Sequence, residues 1–287
     1  MCRPPATRSR RAWLGTSWKM NKTRGQAVAY LAKMRAWARA SDLDADIAVL
    51  PPFTALEAAA AQLAAPDATP GPPSPALRLG AQNMHWLPRG AQTGEISAEM
   101  LLDCGVSIVE IGHYERRTHH GETDHSVNLK VKAAIVAGLE VLICVGDTAD
   151  DRQYGVAAET VARQVKTALF GLPLQALSSV VLAYEPGWAI GAGGEQAEPA
   201  GVATMHEVIR AAVRQGHGVE AAERVRVVYG GSVDAASAGR YAAQASVDGL
   251  FIGRAALTAA GFIAVIEQFC AARPVPPSQL LCKGSRT

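Results

Sequence analysis

The sequence predicts a closed (β/α)8 barrel, in which eight parallel strands form an inner cylinder and helices cover its outside. Eight short apolar runs rich in β-branched residues recur along the 287 residues. The runs are almost continuously apolar, as expected for strands buried on both faces of a parallel sheet, and helical stretches lie between them. An open doubly wound sheet is not favoured, because no GxGxxG segment follows the first strand.

The predicted strands and helices alternate along the chain. The strands are expected at residues 13–18, 46–50, 77–82, 107–112, 140–145, 180–185, 226–230 and 249–253. The helical stretches with apolar residues on one face are 25–40, 127–137, 157–169 and 202–213. We expect one helix after each strand, so the functional residues should lie at the C-terminal ends of the strands.

One barrel domain accounts for most of the chain, since no change of composition divides it and 49% of its residues are hydrophobic. We place this domain at residues 13–271. Residues 1–12 contain four arginines and no acidic residue, and we expect a disordered extension there; a transit-peptide fragment is the alternative. Residues 272–287 are expected to form a C-terminal tail, and the Pro-rich stretch 66–75 an exposed loop without a chemical role.

The charges and the cysteines argue against several classes of function. Lysines and arginines are dispersed and the net charge is +2, so neither nucleic acid nor a membrane is an expected partner, and a small molecule is. The five cysteines form no CxxC pair, which argues against a disulfide framework and a zinc ribbon. No apolar run reaches the roughly 18 residues that a membrane-spanning helix needs. We expect a cytoplasmic protein in a reducing compartment.

Glu185 is the residue that carries most information about function. It ends the apolar run 180–185 and precedes a glycine-rich loop. A carboxylate that is buried beneath a closing loop has a raised pKa and can act as a base near neutral pH. The structural alternative is a strand-end glutamate that caps a helix or pairs with an arginine.

Two further strand ends carry polar residues that can face the same cavity. Lys19 follows the first strand and can bind a phosphate or an oxyanion. His113 follows the fourth strand, and Glu115 can form ion pairs behind it with Arg116 and Arg117. Taken singly, a lysine is more often a solvated surface charge, and a histidine is more often a structural residue.

Glycine-bearing segments follow the seventh and eighth strands, at residues 228–233 and 248–256. Backbone N–H groups exposed by glycines form anion sites, and barrels often hold phosphate after these two strands. The hydroxyl of Ser232 can add a further donor. The structural alternative is a pair of tight turns that need glycine only for their backbone conformation.

Together these motifs resemble those of the triosephosphate isomerase family. The resemblance runs from about residue 13 to residue 270, and the segments WKMN, GH, ERR, YEP, WAIG and YGGSV occur in the family's order. It implies a single (β/α)8 TIM barrel, usually a homodimer, that needs no metal and no cofactor.

The resemblance also assigns roles by position. Lys19 matches the family's active-site lysine, His113 its neutral electrophile and Glu185 its base, while Glu115 is expected to support them. Residues 191–194 begin the tip of a mobile lid. The residues expected to bind the substrate or its phosphate are Ser17, Gly191, Ser232, Gly253 and Arg254.

Four positions depart from the family's pattern. Ser17 stands where an asparagine is usual, and Arg254 replaces the second of two phosphate-site glycines. Both residues are shared with a sister branch that the chain resembles more, the L-erythrulose-1-phosphate isomerases of bacterial erythritol breakdown. Tyr114 replaces a serine and Gly187 a common valine, and these two residues are unusual even in that branch.

Three functional hypotheses follow. The first is an isomerase that interconverts L-erythrulose 1-phosphate and D-erythrulose 4-phosphate through an enediol. The second is a triosephosphate isomerase that converts dihydroxyacetone phosphate to glyceraldehyde 3-phosphate with the same side chains. The third is an inactive barrel that acts as a binding or scaffold protein, which only Tyr114 and Gly187 motivate.

The long segment 82–97 predicts association of two chains. It resembles the loop that family members insert into a partner subunit, and Thr93 is expected near the partner's active site, where it would support catalysis. The structural alternative is a loop that folds back on its own barrel. We expect a homodimer.

Overall fold

The protein folds as a single closed barrel of eight parallel strands, which confirms the predicted fold class. The structure is a computed structural model that describes residues 10–65, 75–191 and 193–274. Neighbouring strands follow the chain order from β1 to β8, and β8 pairs with β1 to close the cylinder. Parallel strands place all their C-terminal ends at one rim, so the loops that follow them share one opening.

The strands lie within one or two residues of their predicted positions. They are β1 (Ala12–Ser17), β2 (Ala45–Leu50), β3 (Ala76–Ala81), β4 (Ile108–Ile111), β5 (Glu140–Val145), β6 (Val180–Tyr184), β7 (Arg226–Tyr229) and β8 (Gly249–Phe251). β5 matches its prediction at both ends. The predicted runs at β4, β6, β7 and β8 end later than the strands, because the residues that follow turn away into the loops of the functional rim.

The helices between the strands are more numerous than predicted. They are α1 (Arg24–Ala40), α2 (Leu56–Ala64), α3 (Ala98–Asp103), α4 (Tyr114–His119), α5 (Asp124–Val136), α6 (Ala149–Gln153), α7 (Ala157–Leu169), α8 (Pro199–Arg224), α9 (Ala235–Ala242) and α10 (Ala259–Ala272). β4 and β5 are each followed by two helices, so the expectation of one helix after each strand was wrong there. α8 continues beyond the predicted residue 213 to Arg224, with a non-helical Gly218 inside it.

Two apolar layers hold the barrel together. The inner layer fills the cylinder with side chains such as Trp13, Leu142 and Phe251. The larger outer layer lies between the strands and the helices that surround them. Because each strand contributes alternate residues to the two layers, both of its faces are buried, which explains the continuous apolar runs in the sequence.

Ion pairs connect strands at the N-terminal rim of the barrel. Arg226 of β7 pairs with Asp46 of β2 and, at 3.1 Å, with Glu140 of β5. Glu140 also accepts from Arg78 of β3 at 2.6 Å. These side chains are largely buried, so their hydrogen bonds satisfy charges that would otherwise be costly at this rim. The N-terminal rim is therefore closed by ion pairs, and the opposite rim is open for a ligand.

The ends of the described chain differ slightly from the expected domain boundaries. Arg10, which we expected in the disordered extension, pairs with Asp248 at 2.6 Å, and β1 begins at Ala12. Residues 1–9 and 275–287, which include most of the predicted extension and tail, lie outside the described residues, as do 66–74 of the predicted loop 66–75. Within the described residues, Cys104, Cys144 and Cys270 are free thiols, and none of the helices is long and apolar enough to cross a membrane.

Candidate active site

A cavity of about 580 Å³ opens at the C-terminal rim of the barrel. Its walls come from the segments that follow β1, β4, β6, β7 and β8. The predicted site residues that line it are Ser17, Lys19, His113, Glu115, Glu185, Gly191, Ser232, Gly253 and Arg254. Thr93 does not line it, because Thr93 lies in the exposed part of segment 82–97. The volume is that of a site for a small molecule.

Glu185 lies directly after β6 and is only 2% exposed. Its backbone N–H donates to the carbonyl of Val145 at 2.7 Å, which fixes the residue against the end of β5. Gly230 lies so close that an added Cβ would be 2.7 Å from Cγ of Glu185, so a glycine is required there to make room for the carboxylate. Burial raises the pKa of Glu185 to about 7, and the charge of Lys19 opposes this shift.

His113 presents a neutral ring to the same cavity. It is the N-cap of α4, and its Nδ1 accepts the backbone N–H of Glu115 at 3.1 Å. The proton of the neutral ring therefore resides on Nε2, which lies 3.7 Å from Oε1 of Glu185. Burial, with the charges of Lys19 and Arg116, lowers the pKa of His113 to about 3. A neutral imidazole N–H that faces the cavity can polarise a carbonyl oxygen.

Lys19 supplies a positive charge at the mouth of the cavity. Its Nζ lies 2.7 Å from Oε1 of Glu115, and the side chain is 30% exposed. Its backbone is in the left-handed region at φ 53°, which is uncommon for a residue with a side chain and costs on the order of 1 kcal/mol. Gln82 donates to the backbone carbonyl of Lys19 at 3.1 Å and holds this turn. The ion pair and the held turn thus keep the ammonium of Lys19 at the opening of the cavity.

The other side of the cavity is formed by glycines and hydroxyl groups suited to an anion. Gly191 has φ +87°, a conformation that favours glycine, and Ser232 follows β7. Gly253 and Arg254 follow β8, where a short 3-10 helix spans Arg254–Leu257. Backbone N–H groups and one guanidinium around a common space are a suitable environment for a phosphate.

Glu110 is a buried carboxyl group beside the site that the sequence analysis did not assign. It lies in β4, is 2% exposed, and its Oε1 is 3.9 Å from Nε2 of His113 and 3.9 Å from Sγ of Cys144. Burial, followed by the charge of Glu185, raises the pKa of Glu110 well above its ordinary value. A glutamate in the middle of the apolar run 107–112 was the available signal, since Glu110 shares a strand face with the inner-layer residue Ile108.

Asp147 was missed as well, and it holds the first part of the loop after Glu185. One carboxylate oxygen accepts from the hydroxyl of Tyr184 at 2.8 Å, and the other accepts from the indole N–H of Trp188 at 2.9 Å. The guanidinium of Arg152 lies 4.3 Å from the ring centroid of Trp188. The sequence feature that could have identified Asp147 is its position just beyond the predicted strand 140–145, which places it at the functional rim.

Within the described residues, one group of side chains has the spacing of metal ligands. The ligand atoms of Glu110, Cys144 and Glu185 lie within 4.8 Å of one another, and all three residues are buried. Burial raises the pKa of each of the three groups, so a metal ion would have to displace protons from them.

The site combines a base, a neutral hydrogen-bond donor and a cation around one cavity. Such a set can remove a proton from a carbon beside a carbonyl group and stabilise the oxyanion that forms. The glycine-lined side can hold a phosphate of the same molecule at a fixed distance from the base. The geometry is that of proton transfer on a small phosphorylated carbonyl compound.

Comparison with known proteins gives one family and two groups of relatives. The family model described as triosephosphate isomerase matches residues 12–269. The triosephosphate isomerase of Chloroflexus aurantiacus is 43% identical over 251 residues, which cover 87% of this chain and 96% of that protein. The triosephosphate isomerase of Acetivibrio thermocellus is 41% identical over 226 residues, 77% of this chain and 84% of that protein. The L-erythrulose-1-phosphate isomerase of Rhizobium rhizogenes is 43% identical over 220 residues, 76% of this chain and 77% of that protein.

The protonation states of Glu185 and His113 can be measured directly. In carbon-13 NMR of protein labelled at glutamate Cδ, we expect the Glu185 signal, assigned by its loss in Glu185→Gln, to titrate near pH 7 because the carboxyl is buried. Nitrogen-15 signals should show His113 neutral at pH 5 and above, because its pKa is lowered to about 3. Titration of Glu185 near its ordinary value of 4.5 would contradict the burial argument.

A second titration tests the charge of Glu110. Glu110→Gln replaces a carboxyl group by a neutral group of the same shape, so the pKa of Glu185 should change by less than about half a unit if Glu110 carries its proton. Loss of an ionised neighbour would instead lower the pKa of Glu185 by about one unit or more. Glu159→Gln, which removes an exposed carboxylate of α7, is the matched control.

Proposed function

The chain belongs to the triosephosphate isomerase family, whose sugar-phosphate isomerase activity it shares, and from this premise we propose that it interconverts L-erythrulose 1-phosphate and D-erythrulose 4-phosphate. One observation carries the proposal. The carboxylate of Glu185, the neutral imidazole of His113 and the ammonium of Lys19 line one cavity, although they follow three different strands. Proton transfer between adjacent carbons needs these three kinds of group.

In the proposed reaction, the proton moves from carbon 3 of L-erythrulose 1-phosphate to carbon 2. Ionised Glu185 removes the proton from carbon 3, while the Nε2–H of His113 and the ammonium of Lys19 stabilise the negative charge on the oxygens. The hydroxyl proton of the resulting enediolate passes from the oxygen on carbon 3 to the oxygen on carbon 2, which moves the negative charge to the oxygen on carbon 3, and Glu185 returns its proton to carbon 2. The carbonyl is then at the former carbon 3, and no atom is gained or lost. Glu115 fixes Lys19 through their ion pair at 2.7 Å.

The phosphate is assigned to the opposite side of the cavity. Gly191, Ser232 and Gly253 would bind it through N–H and hydroxyl donors, and Arg254 would add a positive charge from the exposed rim. The loop 186–197 would close over the bound substrate. Closure excludes water, which prevents the enediol phosphate from losing its phosphate to solvent.

The small side chain of Ser17 favours the assignment of the four-carbon substrate. It lines the cavity, is 5% exposed, and is smaller than the asparagine that is usual at this position in the family. The four-carbon ketose phosphate has one hydroxymethyl group more than dihydroxyacetone phosphate, and this group is attached to the carbon that loses its proton. A shorter side chain at position 17 would leave room for it. Ser17 and Arg254 also occur together in the L-erythrulose-1-phosphate isomerases that the chain resembles.

Triosephosphate isomerisation is the second candidate. The Chloroflexus aurantiacus triosephosphate isomerase aligns over 96% of its own length, which favours this reading. The same three side chains would serve both reactions, and one carbon more or less is worth only about 1 to 3 kcal/mol of discrimination. The third hypothesis, an inactive barrel, is not supported, because the family and the assembled site are those of an enzyme.

Kinetics on both substrates test the proposal. We expect kcat/KM for L-erythrulose 1-phosphate to exceed that for dihydroxyacetone phosphate by about tenfold or more, and proton exchange with solvent at carbon 3 in deuterated water. Ser17→Asn should lower the ratio of the two kcat/KM values, because the longer side chain occupies the space of the hydroxymethyl group.

Three controls define the outcome of this test. Ser246→Asn, at a half-buried serine that does not line the cavity, should leave the ratio unchanged. Glu185→Gln should abolish turnover of both substrates. A ratio that favours the three-carbon substrate in the original chain would establish the second candidate, and no exchange on either substrate would refute both.

We also propose that the enzyme is a cytoplasmic homodimer in erythritol breakdown. The middle of segment 82–97, residues 87–95, is exposed, and Leu87 and Thr93 lie in it. Gln82 bonds the carbonyl of Lys19, so the base of this segment lies beside Met20, which is 97% exposed. Exposed apolar side chains next to a projecting loop favour a protein partner, and insertion of the loop would bring Thr93 near the site of a second chain.

Light scattering after size-exclusion chromatography tests the homodimer. We expect a dimer at micromolar concentration, and Leu87→Glu should shift it towards monomer because the charge would be buried at the interface. Val136→Glu, at a residue that is 89% exposed at the end of α5, is the control and should leave the dimer intact. A monomeric original chain at this concentration would contradict the proposal.

A further inference from the structure

Tyr114 and Gly187, which both depart from the family's pattern, lie in direct contact. A Cβ added to Gly187 would lie 2.3 Å from Cε2 and 2.7 Å from Cζ of the Tyr114 ring. Both distances are far shorter than a van der Waals contact. The ring of Tyr114 therefore occupies the space into which a side chain at position 187 would extend.

The backbone of Gly187 does not require a glycine. Its φ lies outside the left-handed region, and the residue begins a short 3-10 helix, Gly187–Ala189, that other residues could form. The physical reason for a glycine at this position is therefore the tyrosine ring. One substitution compensates for the other, although the two residues lie on loops that follow different strands, β4 and β6.

Tyr114 also contacts the carboxylate of Glu185. Its backbone N–H donates to Oε2 of Glu185 at 3.4 Å, a long hydrogen bond that lowers the pKa of the carboxyl. Glu185 and Gly187 are separated only by Pro186, whose ring restricts the backbone between them. Both Glu185 and Gly187 therefore contact Tyr114: the carboxylate of Glu185 contacts its backbone N–H, and Gly187 contacts its ring.

Other contacts hold the start of this loop on its second side. The N–H of Gly187 donates to the backbone carbonyl of Asp147 at 2.8 Å, and the carboxylate of Asp147 accepts from Trp188 at 2.9 Å. The segment 186–188 therefore lies between Asp147 and the ring of Tyr114. Since Asp147 holds the backbone by hydrogen bonds, the ring determines how far the segment can move towards α4.

We propose that Tyr114 is a positioning residue for the isomerase, and that its ring replaces a hinge side chain at position 187 and sets the resting position of the loop 186–197 relative to Glu185. The proposal deepens the function proposed above and rests on it for its kinetic test. The ring does not line the cavity, so it acts on the substrate only through Glu185 and the loop. Its expected effects are on turnover and on retention of the enediol, since both depend on loop closure.

A double-mutant cycle tests the proposal. Gly187→Val adds a side chain in the space of the ring, and Tyr114→Ser removes the ring and leaves the space empty. Each single change is expected to lower kcat at least about tenfold with a smaller effect on KM, because a displacement of about 1 Å near the reacting atoms is sufficient for such losses. The double variant, in which the valine fills the vacated space, should recover to within about threefold of the original kcat.

Phosphate release per turnover is a readout that general damage to the fold would not change. A loop that closes poorly leaves the enediol phosphate in contact with water, so free phosphate formed per isomerisation event should rise in each single variant and fall again in the double variant. Tyr154→Ser, at a tyrosine that is 74% exposed, and Gly201→Val, at an exposed position of α8, are the matched controls. Both should keep the original kcat and phosphate release.

Unfolding by urea gives a second measurement that does not depend on activity. The midpoint should fall in each single variant and recover in the double variant, because the same packing is lost and restored. Losses that simply add in the double variant, or a Gly187→Val enzyme with unchanged kcat and midpoint, would overturn the proposal. If the original chain isomerises neither substrate, the proposed function is refuted. The inference about Tyr114 is then decided by the urea midpoints alone: recovery of the midpoint in the double variant supports it, and additive losses overturn it.

Discussion

The burial of the Glu185 carboxylate is the constraint on which the rest of the site depends. A carboxylate in water holds its proton too weakly to be a useful base towards a carbon-bound proton, and burial raises the pKa of Glu185 to about 7. The barrel achieves this burial by crowding: β5 fixes the backbone of Glu185, and Gly230 leaves just enough space for its side chain. Since each neighbour is placed by a different strand, only the closed cylinder can bring them together.

The ionisable groups at the cavity differ in burial: His113 and Glu110 are deeply buried, and Lys19 and Glu115 lie at its mouth. Of the deep groups, His113 is neutral near pH 7, because burial lowers the pKa of its imidazole to about 3, and burial raises the pKa of the Glu110 carboxyl well above its ordinary value. The side chains of Lys19 and Glu115 lie at the mouth of the cavity, where they are partly exposed and form an ion pair with each other. An ionised Glu110 would repel both ionised Glu185 and a substrate that becomes negatively charged. Burial, which favours the protonated form of Glu110, therefore also favours formation of an enediolate next to it.

The sequence predicted the strands, and the placement of Lys19, His113 and Glu185 at one rim of the barrel, because the sequence patterns that indicate them are local. An apolar run such as 140–145 identifies a strand by itself, and a polar residue that directly follows it, such as Glu185 or His113, must lie at the functional rim. Short helices such as α6 were missed because their main signal is a polar cap and not an apolar face. The sequence shows Glu110 as an ionisable residue in an apolar strand. A role for it cannot be predicted from this alone, because that role depends on Glu185 and His113 being close in space. The same holds for Tyr114 and Gly187, since only their contact in space relates these two departures from the family's pattern.

The position of the base next to the loop explains why such a contact matters. Glu185 must be held rigidly, since its pKa depends on burial, whereas in the proposed reaction the loop 186–197, which begins at the next residue, moves to close over the substrate. In the proposed reaction the boundary between rigid and mobile backbone falls within 185–188, where a proline ring, the hydrogen bonds to Asp147 and the ring of Tyr114 all act. A side chain at position 187 would move with the loop, whereas the ring of Tyr114 belongs to α4 and stays with the barrel. In the proposed arrangement, the position of the loop 186–197 is therefore set by the ring of Tyr114, which belongs to α4, and not by a side chain of the loop itself.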